Sequence, residues 1–208
     1  MRRTIFTFIL LFASQAFAAE PEPDADSLLK TADEVRNPSE TYKMMIKVTT
    51  SSTEQEFEVF LKGRDKTLVV IKSPIKDRGR NMLMLDRDFQ AYIPNLKKSV
   101  RLSLAQKMSG EVANGDIART RWYGDYKPSI EKKDGTNTIL MLVGLKPMLT
   151  YQKLRLWVET KTARPQRAEF LGLDGRTILK RAAFEGYKQV EGALRPTRLK
   201  IEDVTGKT

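Results

Sequence analysis

The stretch 78–116, RGRNMLMLDRDFQAYIPNLKKSVRLSLAQKMSGEVANGD, sets the reading of the whole chain. It places two apolar strand-like runs, a Tyr92-Ile93-Pro94 stop, a basic patch and a glycine-containing loop in close succession. It contains neither cysteine nor histidine. The pattern suggests a place where something is held rather than cut.

Upstream, hydrophobicity has a period of two, as expected of strands with one buried face. Tyr42, Met44, Ile46 and Val48 alternate with Lys43, Met45, Lys47 and Thr49, and Phe57, Val59 and Leu61 alternate with Glu56, Glu58, Phe60 and Lys62. Runs at Thr67 to Lys72 and Arg80 to Leu85 follow, separated by Ser73-Pro74 and a charged turn at Lys76 to Gly79. Both runs are apolar on each face at their centres, so the pattern leaves inside and outside open. Downstream, Val100, Leu102 and Leu104 suggest a short strand, and 108–120 reads as a loop with a helical turn near Asp116. Further strands are expected at Trp122 to Glu131, Thr138 to Leu145, Leu154 to Glu159, Pro165 to Leu171, Thr177 to Tyr187 and Pro196 to Asp203. Asp134-Gly135 and Asp174-Gly175 are hairpin signals. The total of about 10–11 closely spaced strands predicts a mainly β fold, an antiparallel barrel or strongly curved sheet.

Two features precede the strands. Arg2 and Arg3, the apolar run Ile5 to Phe12 and the Ala16-Phe17-Ala18 signature read as a secretory signal peptide over residues 1–19, cleaved after Ala18 or Ala19. The apolar run is far shorter than the roughly 20 residues that span a bilayer. Residues 20–208 are then expected to form a single exported domain. After a Pro-rich acidic lead at Glu20 to Asp24, Asp26 is positioned to cap a helix through about Arg36, with Leu28, Leu29, Ala32 and Val35 on one face.

Composition narrows the function. The 208 residues contain no cysteine, so an exported chain has neither disulfides nor a lipid-modified cysteine anchor, and its stability must come from a core. Histidine is also absent, which removes the commonest general base and metal ligand. Motifs for zinc hydrolases, serine nucleophiles and phosphate loops are missing from the sequence, so no enzyme, no metal and no cofactor is expected. The formal charge is +11; removing Arg2 and Arg3 with the leader lowers it by two, to +9. Such a surplus favours acidic partners, and export argues against nucleic acid.

Several segments together carry a family resemblance. The N-terminal amphipathic helix, the consecutive strands, the segment Phe89-Gln90-Ala91-Tyr92-Ile93-Pro94, the basic run to Val100-Arg101 and the element Gly115-Asp116-Ile117 resemble the LolA-like outer-membrane lipoprotein-sorting family. The likeness extends through Tyr151 to Val158, Pro165 to Glu169 and the last strands. It implies an incomplete, unclosed antiparallel β-barrel with a few short helices as a lid, and a concave apolar face that holds acyl chains. It also implies a soluble periplasmic carrier of lipids or lipoproteins, monomeric, with an inner-membrane transporter and an outer-membrane acceptor as partners. The alternative is a lipid- or lipoprotein-sensing module working with a membrane transporter or regulator. Many relatives carry a Gly-Ser-Asp element followed by an acidic stretch, where this chain has basic and aromatic residues from Gly115 to Tyr123.

For the concave face, the alternation nominates Tyr42, Met44, Ile46, Val48, Phe57, Val59 and Leu61, with Met82 and Met84 from the next run. Ile139, Met141 and Val143 form a further group, although Leu140 and Leu142 make their opposite face apolar too. Methionine is a flexible gap-filler suited to a lining that must release its cargo. Met44, Met82, Met84, Met108, Met141 and Met148 fit either that role or an ordinary core. Trp122 is a candidate for a rim where an aromatic body meets a headgroup, or for the core. Lys97, Lys98 and Arg101 are candidates for contacting an anionic headgroup or acidic partner, or form a solvated face.

Overall fold

A computed structural model of the chain describes residues 24–37, 41–50, 53–63, 65–86, 88–103, 107–109, 112–118, 121–147 and 149–204. The expected leader and its expected cleavage site, Leu104 and Met148 lie outside the described residues.

Helix α1 spans Ala25–Arg36. Its cap is Asp24, not Asp26: the Asp24 backbone is extended and its carboxylate accepts from Ser27 N at 2.9 Å, whereas Asp26 sits inside the first turn. There its charge complements the positive end of the helix dipole. Leu28, Leu29 and Ala32 are buried, as the helical spacing requires.

The first sheet is a meander of β1 (Thr41–Thr49), β2 (Glu54–Lys62), β3 (Lys66–Ser73), β4 (Met82–Leu85), β5 (Asp88–Ile93) and β6 (Lys98–Arg101), each strand antiparallel to the next. A ribbon of β7 (Lys107–Ser109) and β8 (Val112–Ala113) leads into helix α2 (Asn114–Ala118). The second sheet contains β9 (Tyr126–Asp134), β10 (Asn137–Gly144), β11 (Lys153–Glu159), β12 (Pro165–Leu171), β13 (Ile178–Glu185) and β16 (Arg198–Asp203), in the order β16-β13-β12-β11-β10-β9. The ribbon β14 (Lys188–Val190) and β15 (Ala193–Arg195) lies between β13 and β16 in sequence. The two sheets do not close on each other through any strand pair among the described residues, so the fold is an open, mainly β half-barrel.

The described residues form sixteen strands, more than the 10–11 expected. The additional ones are largely two- and three-residue ribbons, too short to display a period. The strand expected from Trp122 begins at Tyr126 instead, because the Trp122 carbonyl accepts from the Asp125 and Tyr126 amides, both at 3.0 Å, in a turn. The Asp134-Gly135 turn forms as expected, with Gly135 at φ 59°, a conformation that favours glycine.

Apolar residues gather in two clusters, one on each sheet's inner face. In the second sheet, Leu140 and Leu142 face Leu156 and Leu154 across β10–β11, with Ala168, Ala182 and Phe184 beyond them, and α1 covers this face with Leu28, Leu29 and Ala32. In the first, Phe57 and Val59 of β2 face Ile71 and Val69 of β3, and Val69 and Thr67 face Met82 and Met84 of β4. Ile117 of α2 joins this second cluster.

Candidate functional site

Pairing register places most of the nominated residues on one surface. Tyr42, Met44 and Ile46 of β1 stand opposite Leu61, Val59 and Phe57, and the row continues through β3 to Met82 and Met84 and then to Ala91 and Phe89 of β5. Side chains alternate between faces along a strand, so cross-strand partners share a face. Val48, Phe57, Val59, Leu61, Met82 and Met84 are buried in the cluster; Tyr42, Met44 and Ile46 are half-buried against it. On the far margin Ile93, Val100, Leu102 and Val112 are half-buried in the same way. The surface is therefore dense at its centre and open along both edges.

Ile139, Met141 and Val143 do not join this surface. They face Trp157, Arg155 and Lys153 on the outer side of the second sheet, opposite the buried Leu140 and Leu142. That outer side is mixed: Ile139 is fully buried there and Val143 is exposed, and a charged network runs beside them. Arg155 bonds Glu131 at 2.5 and 2.9 Å and Glu169 at 3.1 Å, Arg181 approaches Glu169 at 3.6 Å, and Arg167 lies 3.7 Å over the Trp157 ring. Sequence left β10 ambiguous because both faces are apolar; α1 resolves it by covering the Leu140 side.

Trp122 is in the core. It is 5% exposed, meets Phe184 edge-on with centroids 5.7 Å apart, and carries the Arg36 guanidinium 4.0 Å above its ring. Its amide donates to Asp33 Oδ1 at 2.8 Å, and Asn37 Nδ2 donates to the same atom at 3.1 Å, so the end of α1 fixes this segment. Lys97, Lys98 and Arg101 are exposed and do not converge: Lys97 caps a 3-10 turn with φ 47°, Lys98 pairs with Ile93, and Arg101 bonds Asp88 at 3.0 Å on the opposite face.

Sequence reasoning missed a small cavity of about 50 Å³ between α2 and the second sheet. Its walls include Arg36, Asp116, Arg121, Trp122, Tyr151 and Phe184. Beside it, Lys180 and Asp116 form a buried ion pair at 3.3 Å. Burial, and then the nearby Asp116 carboxylate, push the Tyr151 phenol far above its ordinary range. Helix α2 thus faces two ways, with Ile117 in the first-sheet cluster and Asp116 tied to the second sheet. The only sequence signal was Asp116 next to Ile117; the partner lies on β13, 64 positions away.

An unclosed antiparallel half-barrel with an apolar inner face, partly covered by short helices, defines a binding scaffold. Comparisons with solved structures place it further. A LolA superfamily protein from Nitrosomonas europaea is 34% identical and superimposes with a TM-score of 0.81, covering 89% of this chain and 88% of its own. The chain belongs to the LolA superfamily. A DUF1329 family protein from Desulfovibrio piger has the same fold, at 21% identity, TM-score 0.68, and coverage of 85% and 83% of the two chains. So does a domain from Vibrio parahaemolyticus described as an outer membrane lipoprotein-sorting protein, at 22% identity, TM-score 0.61, and coverage of 86% and 92%. A family model described as "Uncharacterized protein" matches residues 63–208. A search of curated proteins returns no match. No helix among the described residues is long and apolar enough to cross a membrane.

Proposed function

We propose that this protein is a periplasmic carrier or chaperone that binds the acyl chains of lipids or lipoproteins and moves them towards the outer membrane. On this reading residues 1–19 are a cleaved export signal and residues 20–208 act as one monomeric domain. An inner-membrane transporter supplies the cargo and an outer-membrane component accepts it. The chain binds and releases its cargo without turnover.

The observation that carries this reading is the graded burial of the first sheet's inner face. Val59 and Val69 at its centre are fully buried, while Tyr42, Met44 and Ile46, on the same face, remain half-exposed along β1. An apolar row left open at a sheet margin can accept further apolar atoms without losing its existing packing. Each buried methylene contributes about 0.8 kcal/mol, so one long acyl chain supplies on the order of 10 kcal/mol. Methionines at Met44, Met82 and Met84 give that face the adaptability a releasable ligand needs.

The test is direct. Protein extracted gently from its native periplasm is analysed by mass spectrometry for bound lipid, and acylated peptides are used to displace a fluorescent fatty-acid probe from purified protein. Ile46→Asp and Met44→Asp, at the half-buried margin, are expected to abolish probe binding while the thermal midpoint is retained. Absence of both co-purified lipid and probe binding in the wild type would refute the carrier reading.

A further inference from the structure

The ambiguity of β3 and β4 in the sequence has a physical counterpart. Their inner faces carry Thr67, Val69 and Ile71, and Met82 and Met84; their outer faces carry Leu68 and Val70, and Leu83 and Leu85. On the outer face Lys43, Phe60, Leu68 and Leu83 form one continuous cross-strand row, and Lys62, Lys66 and Leu85 form the next. Phe60 is 39% exposed, Leu83 42% and Leu85 47%. A groove of about 460 Å³ runs along Phe60, Leu68 and Leu83, with Lys43, Lys62 and Lys66 also lining it. The outer side of the second sheet also carries Ile139, Met141 and Val143, but the Arg155–Glu131–Glu169–Arg181 network runs among them. A solvated outer face does not need three large apolar side chains held side by side, and such a group marks an interaction site.

Charge identifies the partner. Away from the β2–β3 turn, Lys47 pairs with Glu54, and Glu58 with both Lys43 and Lys72. Lys62 and Lys66, at the apolar end, stand directly opposite each other across the strands, and neither has an ion-pair partner among the described residues. Like charges in that position repel. Three carboxylates lie at the same end: Asp65 in the turn, Asp86, whose amide donates to the Asp65 carbonyl at 2.7 Å, and Asp88, the cross-strand partner of Leu85, which Arg101 bonds at 3.0 Å; none is within ion-pair distance of Lys62 or Lys66. Two unneutralised ammonium groups beside Phe60, Leu83 and Leu85 match the chemistry of a membrane interface. There apolar side chains enter the acyl boundary and lysines meet lipid phosphates.

We propose that the outer face of β2–β4, at the β2–β3 turn, docks on an anionic phospholipid surface. Phe60, Leu83 and Leu85 insert shallowly, and Lys62 and Lys66 contact the phosphates. This goes beyond cargo binding: it is a second lipid contact, on the face opposite the acyl-binding one, and it would hold the carrier at a membrane during loading or delivery.

Flotation with vesicles tests it, using phosphatidylcholine alone and phosphatidylcholine mixed with phosphatidylglycerol. The protein should float with the mixed vesicles, not with phosphatidylcholine alone, and raised salt should release it. Lys62→Ala/Lys66→Ala should lower partitioning by about 25-fold, given a contribution near fivefold from each lysine. Phe60→Ser/Leu83→Ser should lower it at low salt as well. Both double variants should keep fluorescent-probe binding, which separates this site from the inner face, while Ile46→Asp should keep flotation. No flotation with mixed vesicles overturns the proposal, as does unchanged flotation of the lysine variant. Self-association through this face, seen as a dimer that Phe60→Ser/Leu83→Ser dissociates, also overturns it.

Discussion

The Lys180–Asp116 pair offers a quantitative test of how α2 is held. The two groups lie 3.3 Å apart, with side-chain exposures of 9% and 6%, and they join α2 to β13 across 64 positions. Asp116 Oδ2 also accepts from Ala113 N at 2.8 Å, so the carboxylate fixes the entry to α2. Removing one member of a buried pair leaves the other charge without its counterion, a loss of about 3–5 kcal/mol, whereas replacing both with apolar groups is often near neutral. For a chain of this size 1 kcal/mol corresponds to roughly 2–4 °C. Lys180→Met alone should therefore lower the thermal midpoint by about 6–20 °C, and Asp116→Leu alone by a similar amount or more, because Ala113 N also loses its acceptor. The double variant Lys180→Met/Asp116→Leu should recover most of the loss. Urea unfolding of all four proteins gives the coupling energy directly. If the two single losses simply add in the double variant, or if each is below about 1 kcal/mol, the pair does not hold α2 and the reasoning fails.

Other consequences follow from the same geometry. Met84→Ala, in the dense centre of the first sheet, should destabilise by about 2–5 kcal/mol in urea unfolding, whereas Met44→Ala at the half-exposed margin should cost under about 1 kcal/mol and show instead as weaker probe binding. Trp122→Ala should cost about 3–5 kcal/mol, because it empties the space between Phe184 and the Arg36 guanidinium; with Trp157→Phe as background, Trp122 fluorescence should report unfolding as a single cooperative step. Asp174 is held at about 2, below its ordinary 3.8, by the Thr177 hydroxyl at 2.6 Å and the Arg176 and Thr177 amides at 3.0 Å. Its native carboxylate is favoured, so its stabilising effect is full above the unfolded value near 3.8 and declines as pH falls towards about 2. The midpoint difference between wild type and Asp174→Ala should accordingly be constant near neutrality and narrow across that acid window.

Legibility in the sequence followed the range of the forces involved. The strands β1 and β2 could be read residue by residue, because one face is apolar and the other charged, and a shift of one residue would bury Lys43, Lys47 and Glu58. Strands β3, β4 and β10 were legible as strands but not as faces, since Leu68, Leu83 and Ile139 are as apolar as Val69, Met82 and Leu140. Only tertiary partners decide such cases: α1 selects the Leu140 side of β10, and Ile117 of α2 lies with the Val69 side of β3. The cavity beside Asp116 was not legible at all, because its walls are drawn from α1, α2, β13 and the segments around Trp122 and Tyr151, and no local period links them.

The same distinction bears on the two faces of the first sheet. A sheet that serves only as the wall of a container needs one apolar face, and selection for solubility should make the other one polar. Strands β2–β4 depart from that rule most near the β2–β3 turn, where Phe60, Leu83 and Leu85 are exposed beside Lys62 and Lys66; Val70, further along β3, is half-buried opposite Glu58. Towards the other end of the same strands, outer-face charges are neutralised in pairs. Met45 is exposed on the same face between Lys43 and Lys47, but the grouping of Phe60, Leu83 and Leu85 beside two opposed lysines is best explained by a contact there that supplies both apolar burial and negative charge.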